Sequence, residues 1–96
     1  MSNNNLFSPV NIRGVDFPNR IVVPPMCQYS AENGLMNDWH FQHLSQFGFS
    51  GAGLVMIEST AVENIGRITH HCTGIYDDDC LSSIKATMEK VKALSL

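Results

Sequence analysis

Apolar and polar residues alternate through Val10-Asn11-Ile12 and again through Val15-Asp16-Phe17, with Arg13-Gly14 between them. Period-two alternation on both sides of a glycine-bearing dipeptide predicts a short two-stranded hairpin. Pro18-Asn19 breaks the pattern, and Ile21-Val22-Val23 follows as a β-branched run without a polar member. Such a run predicts a strand covered on both faces. Residues 30–37, SAENGLMN, gather turn formers around Asn33-Gly34 and predict a loop. Asp38 is expected to cap a helix from Trp39 to Phe47 in which Phe41, Leu44 and Phe47 share a face, ending near Gly48. A tight turn at Ser50-Gly51-Ala52-Gly53 leads into Leu54-Val55-Met56-Ile57, a second unbroken apolar run expected to be as buried as the first. Ala61 to about Asp77 lacks periodicity and is longer than an ordinary βα loop, which points to a functional connection. Asp78 or Asp79 is expected to cap a second helix with Leu81, Ile84, Met88 and Val91 turned inward and Lys85, Glu89, Lys90 and Lys92 outward. That helix is expected to run to Leu96 or end just before it.

The order hairpin, strand, helix, strand, helix calls for a parallel sheet with helices outside it. Two such strands can neither close a barrel nor make a doubly wound sheet. The expectation is therefore a single incomplete domain over residues 1–96, the N-terminal part of a larger α/β protein. Length agrees, since 96 residues with 44% hydrophobic content support one modest core at most. A net charge of −3 with six scattered basic residues gives no electrostatic footprint for nucleic acid. No run of about 18 apolar residues suggests a membrane span, and MSNNNLF lacks the basic and apolar parts of a secretory signal. A cytoplasmic location is expected. Cys27, Cys72 and Cys80 form no CxxC pair, and an odd number suits reduced thiols better than a disulfide framework.

The chemistry-bearing residues cluster where strands end. Arg20-Ile21-Val22-Val23 runs into Pro24-Pro25-Met26-Cys27-Gln28-Tyr29, and Leu54-Val55-Met56-Ile57 runs into Glu58-Ser59-Thr60. The first exit is stiffened by two residues without N–H groups and followed by a thioether, a thiol and a phenol. Together with Asp38-Trp39-His40 and His43, Glu58-Ser59-Thr60-Ala61-Val62, Gly66-Arg67-Ile68 and Gly74-Ile75-Tyr76-Asp77-Asp78, these segments resemble, in order and spacing, the Old Yellow Enzyme family of FMN-dependent ene-reductases. The likeness is greatest to its bacterial branch with a flavin-side cysteine.

The resemblance implies the first part of an eightfold (β/α) TIM barrel with the hairpin at its base, whose active site opens at the C-terminal ends of the strands. It implies that Pro24, Pro25, Met26, Cys27 and Ser59 line the FMN ring, that Cys27 modulates flavin redox chemistry without acting as a nucleophile, and that Tyr29 meets the substrate. It further implies NADPH or NADH as hydride source, enones or nitroalkenes as substrates, and a parent protein that is a homo-oligomer. The carbonyl-binding pair, the proton donor and the phosphate-binding residues of the family come from later strands, so no catalytic residue is expected within these 96 residues and the isolated chain is expected to be inactive.

Plainer readings stand beside these. Cys27 alone reads as an inert buried thiol, and Tyr29 as a rim aromatic. His40 and His43, one helical turn apart, are expected to make structural hydrogen bonds behind the strands. No metal is expected, but a small metal or thiol module built on His70, His71, Cys72 and Cys80 is the alternative from a different class, and an inactive truncated product is a third reading. Arg67 is expected to anchor the long loop, and Asp77, Asp78 and Asp79 to serve as capping and helix-dipole partners.

Overall fold

The computed structural model describes residues 5–94. Strands β1 (Val10–Ile12) and β2 (Val15–Phe17) pair antiparallel, with Val10 opposite Phe17 and Ile12 opposite Val15. The turn between them places Arg13 at φ +50° and Gly14 at φ +86°. Two successive left-handed residues give the twist that joins strands across a two-residue loop.

β3 (Val22–Val23) and β4 (Leu54–Val55) form a second, parallel ladder, Val22 opposite Leu54 and Val23 opposite Val55. Asn19 latches its lower end, its Oδ1 accepting from the N–H groups of Ile21 (3.0 Å) and Gly53 (2.7 Å) while its Nδ2 donates to the Gly51 carbonyl at 2.7 Å. Gly53 is required here, because a Cβ would collide with the Asn19 carbonyl oxygen. Both strands are shorter than the runs that announced them, and they are not covered on both faces as expected: Val22 is 51% and Met56 46% exposed. Among the described residues the two strands pair only with each other, so the outer edge of each is left without a strand.

Helix α1 (Asp38–Gly48) follows β3, and α2 (Asp78–Leu94) follows β4. Ser95 and Leu96, where the second helix was expected to finish, lie outside the described residues. In both helices the cap falls one residue before the expected position. Asn37, in an extended conformation, accepts from the Trp39 N–H through its side chain and caps α1. Asp77 accepts from the Cys80 N–H at 2.8 Å at the start of α2, leaving Asp78 and Asp79 inside the first turn. The capping geometry needs the side chain to reach the N–H groups two and three residues on, which Asn37 and Asp77 alone are placed to do.

The core lies between the helices and the loops that join them, around Met36, Leu44, Cys72, Cys80 and Val91. Leu44 is 5% exposed, with Phe41 and Phe47 half-buried beside it. In α2 the inward face is Cys80, Thr87 and Val91; Leu81, expected inside, is 49% exposed. Lys85, Glu89, Lys90 and Lys92 are exposed as expected, and the Lys90 ammonium lies 5.8 Å from the Phe41 ring. The radius of gyration of 15.2 Å exceeds the roughly 12–13 Å of a compact domain of this length. This is one layer pair, open along its sheet.

Candidate functional site

Because β3 and β4 are parallel neighbours, their C-terminal ends open on the same side. β3 passes at once into Pro24, Pro25 and Met26, all exposed, and half-buried Cys27. Among the described residues neither the Met26 nor the Cys27 N–H has a hydrogen-bond partner. β4 continues to exposed Ser59, whose carbonyl accepts from Thr73 Oγ1 at 3.2 Å. Thr60 Oγ1, 3.2 Å from the same Thr73 oxygen, completes the pinning of this strand end. Tyr29 is 53% exposed and sits at φ +52°, a left-handed conformation uncommon for an aromatic residue. Strain of this kind concentrates where a side chain has to be aimed. Pro24, Pro25, Met26 and Cys27 thus follow the C-terminal end of β3 and Ser59 that of its parallel neighbour β4, with Tyr29 further along the first segment. The residues suit a flat ring with a polar edge: rigid apolar surface, an adjacent thiol, and unbonded main-chain donors.

The first turn of α1 supports this shelf from below. Gln28 folds back to donate from Nε2 to the Met26 carbonyl at 2.8 Å, and its Oε1 accepts from Trp39 Nε1 at 2.9 Å. Asn37 Nδ2 donates to the Ser30 carbonyl at 2.7 Å. His40 Nδ1 accepts from the Asn37 N–H at 3.0 Å, closing a capping box with an imidazole in the role usually held by Glu or Gln. Its Nε2 faces Glu58 Oε2 at 3.7 Å, with the two side chains 1% and 4% exposed. Burial, and to a smaller degree the charge of His43, holds the His40 imidazole below its ordinary pKa of 6.5. Burial pushes the Glu58 carboxyl above its ordinary 4.5, against the opposing pull of the Gln28 N–H. Among the described residues His43 has no hydrogen-bond partner of the expected kind; its ring meets Phe47 edge-on at 5.2 Å. Sequence reasoning passed over Gln28, Trp39 and Glu58 as chemistry, although all three lie inside the motifs that carried the resemblance.

The long connection returns to the rim. After a 3₁₀ turn at Asn64–Gly66, Ala61 and Gly74 form a parallel bridge. Arg67 anchors the loop as expected, donating from Nε to the Asn64 carbonyl (3.0 Å) and from Nη1 to the His70 carbonyl (3.2 Å). The alternative metal or thiol module is not supported. Cys72 Sγ is engaged by Thr69, the buried Cys80 thiol lies 3.8 Å from the Asn33 carbonyl, His71 contacts the Ala31 carbonyl, and His70 is exposed. Among the described residues no group of three or more His, Cys, Asp or Glu side chains is placed to hold a metal. Also among them, no helix is long and apolar enough to cross a membrane.

The sequence profile of the NADH:flavin oxidoreductase / NADH oxidase family matches residues 5–95. The chain belongs to this family. It is 48% identical over 80 residues to a NADH:flavin oxidoreductase of Gibberella zeae, covering 83% of this chain and 19% of that protein. With a NADPH dehydrogenase of Listeria monocytogenes it shares 40% identity over 86 residues, 88% of this chain and 25% of the relative. Among solved structures, morphinone reductase superposes with a TM-score of 0.80 at 25% identity, over 97% of this chain and 24% of its own. An Old Yellow Enzyme of a Pichia species gives 0.85 at 24% identity, over 96% and 24%. The chain spans a quarter or less of the length of these relatives. Its fold is the N-terminal portion of a TIM barrel, a hairpin followed by two βα units.

Proposed function

We propose that these residues form one wall of the flavin site in an FMN-dependent NAD(P)H oxidoreductase that reduces alkenes conjugated to a carbonyl or nitro group. The observation that carries this reading is the convergence, in a member of this family, of Pro24–Cys27 and Ser59 on the open C-terminal ends of two adjacent parallel strands. In an eightfold barrel that end is where chemistry is done.

When bound, FMN supplies the two-electron chemistry that links a nicotinamide dinucleotide to the β-carbon of the alkene. The chain's own part is positional. Pro24 and Pro25 fix the backbone direction leaving β3, so the Met26 and Cys27 N–H groups are held toward the ring without an entropic penalty on binding. Met26 and Cys27 present polarisable sulfur to the ring, where a thiol tunes its electronics through weak hydrogen bonding. Ser59, its carbonyl held by Thr73, offers a hydroxyl without a partner among the described residues. Tyr29 reaches from the end of the shelf to the substrate. Residues that polarise the carbonyl and supply the proton come from strands beyond this segment.

The full-length protein is expected to purify yellow with one flavin per chain and, under anaerobic conditions, to oxidise NADPH with turnover when an enone is added. The isolated 96-residue chain is expected to be colourless and inactive, because an open ladder with bare apolar faces lacks the rest of the site and tends to aggregate. A colourless full-length protein that oxidises no NADPH would overturn the reading.

A further inference from the structure

Two groups in the wall are buried and unfinished. Among the described residues His40 Nε2 and Glu58 Oε1 have no hydrogen-bond partner, and the other carboxylate oxygen, Oε2, stands 3.7 Å from Nε2, just beyond bonding distance. Leaving a buried polar atom unpaired is costly, so their retention calls for an explanation. Because Nδ1 accepts from the Asn37 N–H, the neutral ring carries its proton on Nε2, the nitrogen turned to the carboxylate. Each member then belongs to a different piece of the rim. Glu58 immediately precedes Ser59 at the end of β4, and His40 lies in the same turn of α1 that holds Gln28 and Ser30 through Trp39 and Asn37.

We propose that His40 and Glu58 are positioning residues: the Nε2–H of His40, directed at the Glu58 carboxylate across 3.7 Å, ties the first turn of α1 electrostatically to the end of β4 and thereby sets where the shelf 24–29 stands relative to Ser59. Burial keeps the imidazole neutral, the form that needs both its acceptor and its donor satisfied. The role as flavin support rests on the function proposed above; the tie itself does not.

The test uses the full-length protein, with its flavin and after flavin removal, in wild-type, Glu58→Gln and Glu58→Leu forms. Leu keeps most of the volume and removes the acceptor; Gln keeps an acceptor without the charge. The Nε2–H proton of His40 is expected in NMR spectra of the wild type as a slowly exchanging resonance. It should persist but move upfield in E58Q, and in E58L exchange about tenfold faster or more. The indole Nε1–H resonance of Trp39, assigned by its loss in Trp39→Phe, is expected to move in E58L as its bond to Gln28 loosens. The flavin's visible band and reduction potential should move in E58L and return toward wild type in E58Q. A contact that matters only for packing would leave all of these unchanged in E58L, and that result overturns the proposal. If E58L does not fold, E58Q decides: an unmoved His40 resonance overturns the tie. If the wild type binds no flavin, the proposed function fails, while the imidazole and Trp39 readouts still judge the tie.

Discussion

The helix side and the sheet side of this chain are both rich in apolar residues, yet one is packed and the other bare. Leu44, Cys80 and Val91 are buried between α1, α2 and the loops, whereas Val22, Leu54 and Met56 stand exposed on the ladder. The difference lies in what each surface has opposite it. A helix finds its neighbour within some 30 residues of chain, but a strand of a closed barrel needs partners on both edges and side chains from across the barrel. The strand residues of this segment are thus selected for a core that the segment does not contain by itself.

The comparison breaks most readily at its packed side. Leu44→Ala should cost about 2–5 kcal/mol of unfolding free energy in the full-length protein, read by denaturant titration. Val22→Ala sharpens the contrast: about 1–3 kcal/mol in the full-length protein, where the strand is covered, and within about 0.5 kcal/mol in the isolated chain. Equal effects in the two contexts would refute the idea that the ladder's bare face belongs to a larger core. Gly34→Ala probes the joint between the Asn33-Gly34 turn and α2. Gly34 has φ +78°, and an added Cβ would come within 2.6 Å of the Tyr76 hydroxyl and 2.9 Å of Cys80 Sγ. A loss above about 1 kcal/mol is expected by thermal unfolding. Asn37→Ala should lower stability by about 0.5–2 kcal/mol, while Asp38→Ala, at the residue first expected to cap, should cost less.

The smallest effect is pH dependence. The His40 pKa is depressed by folding, so an unfolded chain takes up a proton as pH falls through 6.5 while the native imidazole does not. Stability should therefore decline with acidification from about pH 6.5 down to the lowered native value, then level. His43, on the same helix and likewise lowered by burial, adds a slope of the same sign. Glu58 acts oppositely: with its native pKa raised, stability declines as pH rises from 4.5 through the native value. His40→Gln should flatten the slope below pH 6.5 but leave the part due to His43, and an unchanged profile would show that His40 is not the titrating group.

Much of this was legible in the chain. Alternation around Arg13-Gly14, the two apolar runs, the helical spacing of Leu44 and Val91, and the Asn33-Gly34 turn specify element type because each reflects a local backbone preference. The cap positions were missed by one residue, since adjacent Asn37-Asp38 and Asp77-Asp78 are chemically alike and only backbone geometry separates them. Leu81 was misplaced because helical spacing gives a face but not which neighbour covers it.

The site divides in the same way. The motifs around Pro24–Tyr29 and Ser59 were sufficient to identify the family, because proline stiffness and side-chain chemistry are properties of the residues themselves. That Gln28 bridges to Trp39, that His40 closes a capping box, and that its free nitrogen meets Glu58 depend on bringing residues 28, 40 and 58 together in space. Such contacts join groups far apart in the chain through distances of a few ångströms, and only the packed arrangement of strand ends against the first turn of α1 decides them.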